Sequence, residues 1–346
     1  MRKIYVIAYM KNNLGDDLFV QYLISQYPEI NFEIYIDEKI NKEFINNFKN
    51  VNILKTPDYN IKDYDAIIHI GGSIFMEFDK SSIKRLKTLS KRANEAKQNN
   101  IPFFYVSSNF GPYQTQDYLL ASKELFTNCE DVCFREEYSY NLFNDVGSVR
   151  YAPDLLFTYP IEKIEKIKDT IGISVINPEI KKLSEYKEDY YRTLENSIKH
   201  YIKNGKKITL FSYCEIENDD KTINELLERF SDTEKECITL HYYKGNTKEF
   251  IAKYAEMEYM ICSRFHSMIL SYILQQNFFV ISYSEKINNV IKNLNLCEKY
   301  KTIYNKNEQY DVINLELFEK AEYKKIQEIK QKAKQQFDGI NKFLQR

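Results

Sequence analysis

The sequence predicts an α/β chain folded as two doubly wound domains that face each other across a cleft. Three observations carry this. Strand-like apolar runs alternate with helical patterns along the whole chain. The carboxyl ends of those runs carry Gly, Asn, Ser or Arg, and in open parallel sheets that edge is where ligands bind. With 346 residues and ~150 residues per domain as a guide, the length suits about two domains. A charged, Pro-containing stretch at 159–168 separates two halves with the same rhythm.

The first half opens on a strand, Lys3–Met10. The loop Lys11-Asn12-Asn13-Leu14-Gly15-Asp16 then feeds a helix from Asp17. Asn13, Gly15 and Asp16 therefore occupy a ligand-facing turn; an N-cap role for Asp16 is the equal alternative. No G-x-G-x-x-G follows the strand, so a dinucleotide is not indicated. Strands follow at 31–36 and 51–54, with a short helical pattern around Phe44 and Phe48 between them. The run Tyr64–Ile70 is fully apolar apart from Asp65 and His69, as suits a central parallel strand. It ends in Gly71-Gly72, where backbone can approach a ligand closely. His69, inside the strand, is expected to be a hydrogen-bonded core residue. Asp63 and Asp65 form a D-x-D at the opposite edge, which reads as a solvated strand start. A helix at 82–99, a strand at 101–108, a turn at 109–113 and a helix near 118–126 come next. Arg135 then stands at a strand end, with Ser139 opening a helix, and Arg150–Phe157 closes the half.

In the second half, strands are expected at 171–175, 208–212, 238–241, 259–262 and 278–283. The stretch Cys262-Ser263-Arg264-Phe265-His266-Ser267 lies where the fourth of these ends and an apolar helix, 266–274, begins. Helix N-termini present free N–H groups and a positive partial charge to anions. Arg264 adds a planar fork for carboxylate or phosphate. His266 adds the side chain that titrates near neutral pH. A structural ion pair plus a helix cap is the competing account of the same residues. The boundaries are thus 1–158, 169–314 and a charged helical tail, 315–346. The tail is expected to pack back across a domain; peripheral contact with anionic lipid is the alternative.

Composition excludes several classes. Net charge is −1, so no basic field points to nucleic acid. Six cysteines include no CxxC pair, and Cys129 and Cys133, four apart, lack a matching second pair for zinc. Buried, reduced thiols in a cytoplasmic protein are expected, with no metal and no cofactor. No run reaches the ~18 apolar residues of a membrane span, and the strand beginning at Lys3 leaves no room for a signal peptide. Oligomeric state is not legible.

Taken together, the motifs resemble the polysaccharide pyruvyl transferase family. The matching pieces are Asn13-Leu14-Gly15-Asp16, Gly71-Gly72, Gly111-Pro112, Arg135-Glu136-Glu137-Tyr138-Ser139, Gly147, Pro153-Asp154, Ser263-Arg264-Phe265-His266-Ser267 and Tyr283-Ser284-Glu285-Lys286, in the family's order. Ser73 stands where the family often has a third glycine, and Asn109-Phe110 where it often has another. The resemblance implies a fold of two Rossmann-like domains like the GT-B glycosyltransferases. It implies transfer of pyruvate from phosphoenolpyruvate to a sugar or glycan, usually as a cyclic ketal on two hydroxyls. It makes Arg264 and His266 the donor-site signature, Tyr283 and Lys286 a recurring element, and Arg135 a further anion contact. Ser263, Ser267, Asn13, Gly15, Asp16, Gly71 and Gly72 become substrate-binding positions. The first domain is the expected acceptor side and the second the donor side.

The residue chemistry agrees. Phosphoenolpyruvate carries a carboxylate and a phosphate and needs several cationic donors, which Arg264, Lys286 and Arg135 could supply. A histidine can deliver the proton to the methylene carbon and accept those of the sugar hydroxyls. A nucleotide-sugar glycosyltransferase of the same architecture and a non-catalytic glycan-binding protein are the rival readings.

Overall fold

A computed structural model describes residues 2–162, 164–304 and 311–346. Contacts divide the chain into two compact units, each drawing on a distant piece of sequence. Unit 1 comprises Met1–Met10, Asp16–Tyr159 and Ile329–Arg346; unit 2 comprises Lys11–Gly15 and Pro160–Glu328.

Unit 1 is built on seven strands: β1 Lys3–Ile7, β2 Asn31–Tyr35, β3 Val51–Leu54, β4 Ala66–Ile70, β5 Phe103–Ser108, β6 Asp131–Phe134 and β7 Val149–Tyr151. They pair in the order β3-β2-β1-β4-β5-β6-β7, every pair parallel. β4 and β5 are buried along their whole length, as their continuous apolar runs require. The stretch between β2 and β3 makes turns rather than a helix, with Phe44 and Ile45 buried. On one face an aromatic cluster of Phe75, Tyr105, Phe126 and Phe143 packs largely edge to face, the arrangement the ring quadrupoles favour. His69 is a core residue beside Tyr105, but its Nδ1 has no hydrogen-bond partner among the described residues. Asp63 and Asp65 bond locally at the start of β4, to the Asn60 amide and the Lys3 N–H.

The chain's last residues complete this unit. Gln336 is fully buried; its side-chain oxygen accepts from the Ser107 N–H and its amide donates to the carbonyls of Ala152, Pro153 and Phe134. Arg150 donates to the Gln336 carbonyl, and Arg2 lies over the Phe343 ring. The predicted tail is thus divided, and residues 329–346 fold into unit 1. No helix among the described residues is long and apolar enough to cross a membrane.

Unit 2 repeats the plan with β8 Ile167–Ser174, β9 Lys207–Ser212, β10 Ile238–Tyr242, β11 Met257–Cys262, β12 Asn277–Ser282, β13 Tyr300–Thr302 and β14 Glu319–Lys320. The order is β10-β9-β8-β11-β12-β13, all parallel, with the short β14 antiparallel to β12. β13 and β14 are too short to give a periodic signal and were not expected from the sequence. In each sheet the winding reverses beside the first strand, between β1 and β4 and between β8 and β11. Doubly wound sheets take ligands outside the carboxyl ends of the strands at such switch points.

Candidate functional site

The switch point of unit 2 carries the arginine–histidine stretch. β11 ends at Cys262, and the helix Phe265–Ile273 begins after two intervening residues, with Arg264 as its N-cap. The turn is fixed from beneath. Ser174, at the end of β8, accepts from the Ser263 N–H at 3.0 Å, and its hydroxyl lies 2.7 Å from that of Ser267. Ser267 also donates to the Arg264 carbonyl, and Tyr190 donates to the Ser263 hydroxyl at 3.0 Å. Ser263 and Ser267 are fully buried, so their hydroxyls act inside the protein, holding the loop. The helix that follows has no acidic residue in its first turn, so its N-terminal N–H groups keep their positive character.

His266 is half-buried in that first turn. The loop Lys11–Gly15, although it follows β1 in sequence, packs in unit 2: the Leu14 N–H donates to the Tyr213 carbonyl at 3.2 Å. This lays Gly15 against the imidazole. A Cβ at Gly15 would stand 1.6 Å from His266 Nδ1, so only glycine admits the ring there. Asn13 accepts from the Gly15 N–H at 3.2 Å and holds the turn. The structure therefore brings Asn13, Gly15 and His266 together, across nearly three-quarters of the sequence.

Arg264 is nearly buried, at 6% exposure. Its two terminal nitrogens donate to Glu217 and Asp219, and its Nε donates to the Val175 carbonyl at 3.4 Å. Glu217 also holds Lys181 at 2.5 Å, and Lys181 lies 5.5 Å from the Tyr283 ring centre. Burial raises the Glu217 carboxyl, but the cations of Arg264 and Lys181 outweigh it and hold it down at about 2. Asp219 is wholly enclosed, and burial pushes its carboxyl up to about 6 against the pull of Arg264. Lys286, near the start of the helix Glu285–Leu294 that follows β12, places its ammonium 5.1 Å from the Phe265 ring centre.

Sequence reading passed over Glu217, Asp219 and Lys181. The signal was an acidic run, Glu215 to Asp220, at the carboxyl end of β9. Asn218 adopts a left-handed backbone, φ 59°, between the turn Glu215–Glu217 and the helix Asp219–Leu227. That reversal lets two carboxylates two residues apart converge on one guanidinium.

The remaining expected positions lie in unit 1. Gly71 and Gly72, with φ of +73° and +79°, follow β4 at that unit's switch point, beside the Asp16 carboxylate. The helix Leu14–Gln26 starts before Asp16, which falls in its first turn and is not its N-cap. Arg135, just past β6, is 2% exposed. It donates to Asp154 at 3.0 Å and to Asn109 at 2.8 Å, and Asn109 in turn accepts from Ser73 at 2.9 Å. All six cysteines are free thiols, five of them buried.

Comparison with solved structures returns the same architecture at low identity. UDP-GlcNAc 2-epimerase from Neisseria meningitidis, bound to UDP-GlcNAc, is 10% identical with a TM-score of 0.56, covering 87% of each chain. The Methanocaldococcus jannaschii UDP-GlcNAc 2-epimerase, in complex with UDP-GlcNAc and UDP, is 11% identical with a TM-score of 0.53, covering 86% of this chain and 93% of its own. MurG of Acinetobacter baumannii is 11% identical with a TM-score of 0.51, covering 98% and 99%. The fold is therefore α/β and GT-B-like, built from two Rossmann-like sheets. A family model described as polysaccharide pyruvyl transferase matches residues 13–285, from the loop that meets His266 through to the end of β12 and the start of the helix carrying Lys286. The chain belongs to the polysaccharide pyruvyl transferase family.

Proposed function

We propose that this protein transfers pyruvate from phosphoenolpyruvate to hydroxyls of a cell-surface polysaccharide or its sugar precursor, as a ketal, with release of phosphate. The observation that carries this reading is the His266 ring seated on Gly15, two residues from Arg264, at the switch point of unit 2. In the reaction two sugar oxygens bond to C2 of the donor and the C2–O bond to phosphate breaks. One hydroxyl proton ends on the methylene carbon, which becomes a methyl, and the other leaves with phosphate. His266 is the proton carrier, since an imidazole both gives and accepts protons near neutral pH. Arg264 anchors the donor. Its fork has five N–H groups, and its bonds to Glu217, Asp219 and Val175 leave donors over. Lys286 and the helix N-terminus neutralise the departing phosphate. Arg135, held by Asp154 and Asn109 in unit 1, is left out of this donor set.

The rival reading is sugar transfer from a nucleotide, since structures similar in fold hold UDP-GlcNAc. Thermal shift separates the two. Phosphoenolpyruvate at ~100 times its dissociation constant should stabilise the protein by roughly 2.7 kcal/mol, and Arg264→Ala should lose the effect. A shift with a nucleotide sugar and none with phosphoenolpyruvate would replace pyruvyl transfer by glycosyl transfer.

A further inference from the structure

Arg264 is the residue the donor site needs, yet it already holds two carboxylates. With Lys181 they form a row, Lys181–Glu217–Arg264–Asp219, of two cations against two anions. Within the row the two charges of each sign cancel, so an incoming carboxylate or phosphate meets only the donors Arg264 has left over until one of the two carboxylates gives way.

The two are not equivalent. Asp219 is 0% exposed and opens the helix Asp219–Leu227. Its second oxygen accepts from the backbone N–H groups of Tyr213 at 3.0 Å and Cys214 at 3.1 Å. Moving it would strand those two buried donors as well as a guanidinium nitrogen. Among the described residues no backbone N–H bonds to the carboxylate of Glu217, which is 17% exposed and ends a three-residue turn whose Ile216 is half in solvent. It also has a second cation, Lys181, to which it can remain bonded after releasing Arg264. Glu217 can leave, and Asp219 cannot.

We propose that Glu217 is a placeholder for the donor's anion, displaced onto Lys181 when the donor binds, and that Asp219 is a positioning residue that keeps Arg264 aimed. The inference rests on the reading of Arg264 as the donor anchor. It adds that the anchor is kept folded and neutral between turnovers by a carboxylate of the protein's own.

The test titrates phosphoenolpyruvate and, separately, inorganic phosphate into the wild type, Glu217→Gln and Asp219→Asn, with steady-state rates on each. Glu217→Gln keeps the shape and removes the competing charge. It should bind both anions about tenfold more tightly, a gain of about 1.4 kcal/mol. Binding that is equal or weaker overturns the placeholder role. Asp219→Asn should raise KM for phosphoenolpyruvate about tenfold while kcat changes less, a split that lost stability alone would not give. An unchanged KM overturns the positioning role. Should Asp219→Asn fail to fold, Asp219→Glu, which keeps the charge and displaces it by one methylene, reads the same KM. If the wild type binds no phosphoenolpyruvate while Glu217→Gln still tightens phosphate binding, the donor assignment fails and the placeholder stands.

Discussion

Arg135 and Arg264 invite comparison. Each stands just past a strand in a parallel sheet, each is more than nine-tenths buried, and each is met by carboxylate. Arg135 pairs with one fully buried aspartate and one amide, and the short helix beyond it, Glu137–Leu142, has a glutamate in its own first turn. That carboxylate occupies the field an incoming anion would use. Arg264 stands at the switch point, before a helix with no acid in its first turn, and one of its two carboxylate partners is partly exposed. The same residue type in the same local position meets an enclosed carboxylate in one unit and, besides one such, a partly exposed carboxylate in the other. Burial alone does not distinguish the two arginines; the exposure of their carboxylate partners does, 0% for Asp154 against 17% for Glu217.

The sharpest way to break that comparison is at His266, which has no counterpart beside Arg135. His266→Ala should lower phosphate release by about 10²–10⁴-fold, the range of general acid–base catalysis, while the far-ultraviolet circular dichroism is unchanged. Near-full activity would remove the histidine from the chemistry. Arg135→Met should act on stability, because it strands buried Asp154. A loss of about 3–5 kcal/mol is expected in urea unfolding, part of it regained in Arg135→Met with Asp154→Asn, which removes the stranded charge and keeps the oxygen that accepts from the Leu156 N–H. A folded, stable Arg135→Met with abolished donor binding would show both arginines to be anion contacts.

Two glycines sharpen the contrast at smaller scale. Gly15→Ala must push the His266 ring aside, and ~1 Å of misplacement can lower turnover by about 10²-fold. Gly71→Ala meets the Phe19 ring at 2.4 Å and needs φ +73°, so it should cost about 1–3 kcal/mol of stability. If the two swapped effects, the assignment of chemistry to unit 2 would be wrong. The mildest test is pH. Burial lowers His69 to about 3 from an ordinary 6.5. Its neutral form is the folded form, so its contribution is complete above 6.5 and is lost as pH falls toward 3. The slope it adds is about 1.4 kcal/mol per pH unit. Denaturation midpoints followed against pH should show this slope, and His69→Gln should flatten it.

Much of this was legible in the sequence because parallel strands buried on both faces announce themselves. The Tyr64–Ile70 run and the Gly71-Gly72 stop sit where the reading put them. The Ser263–Ser267 stretch was found because strand, arginine and helix are adjacent in sequence. What escaped was long-range. Glu217 and Asp219 lie some 45 residues before their arginine, in an acidic run that carries no recognisable motif. The seating of Gly15 on His266 joins the first loop to the second unit, which no local pattern encodes. Ser263 and Ser267 were legible as polar groups, but only packing shows their hydroxyls bonded inward.

Gln336 has a consequence for the order in which the protein can be made. A ribosome delivers residues 1–159 well before Gln336. Until then the Ser107 amide and the carbonyls of Ala152 and Pro153 lack the side chain that satisfies them. Each such vacancy costs about 1–3 kcal/mol, a large share of a domain's margin. The half that emerges first is therefore the half that finishes last. Unit 2, whose residues 160–328 precede Gln336, has all its pieces earlier. A nascent chain stalled before residue 329 should resist protease across unit 2 while unit 1 is still open to it.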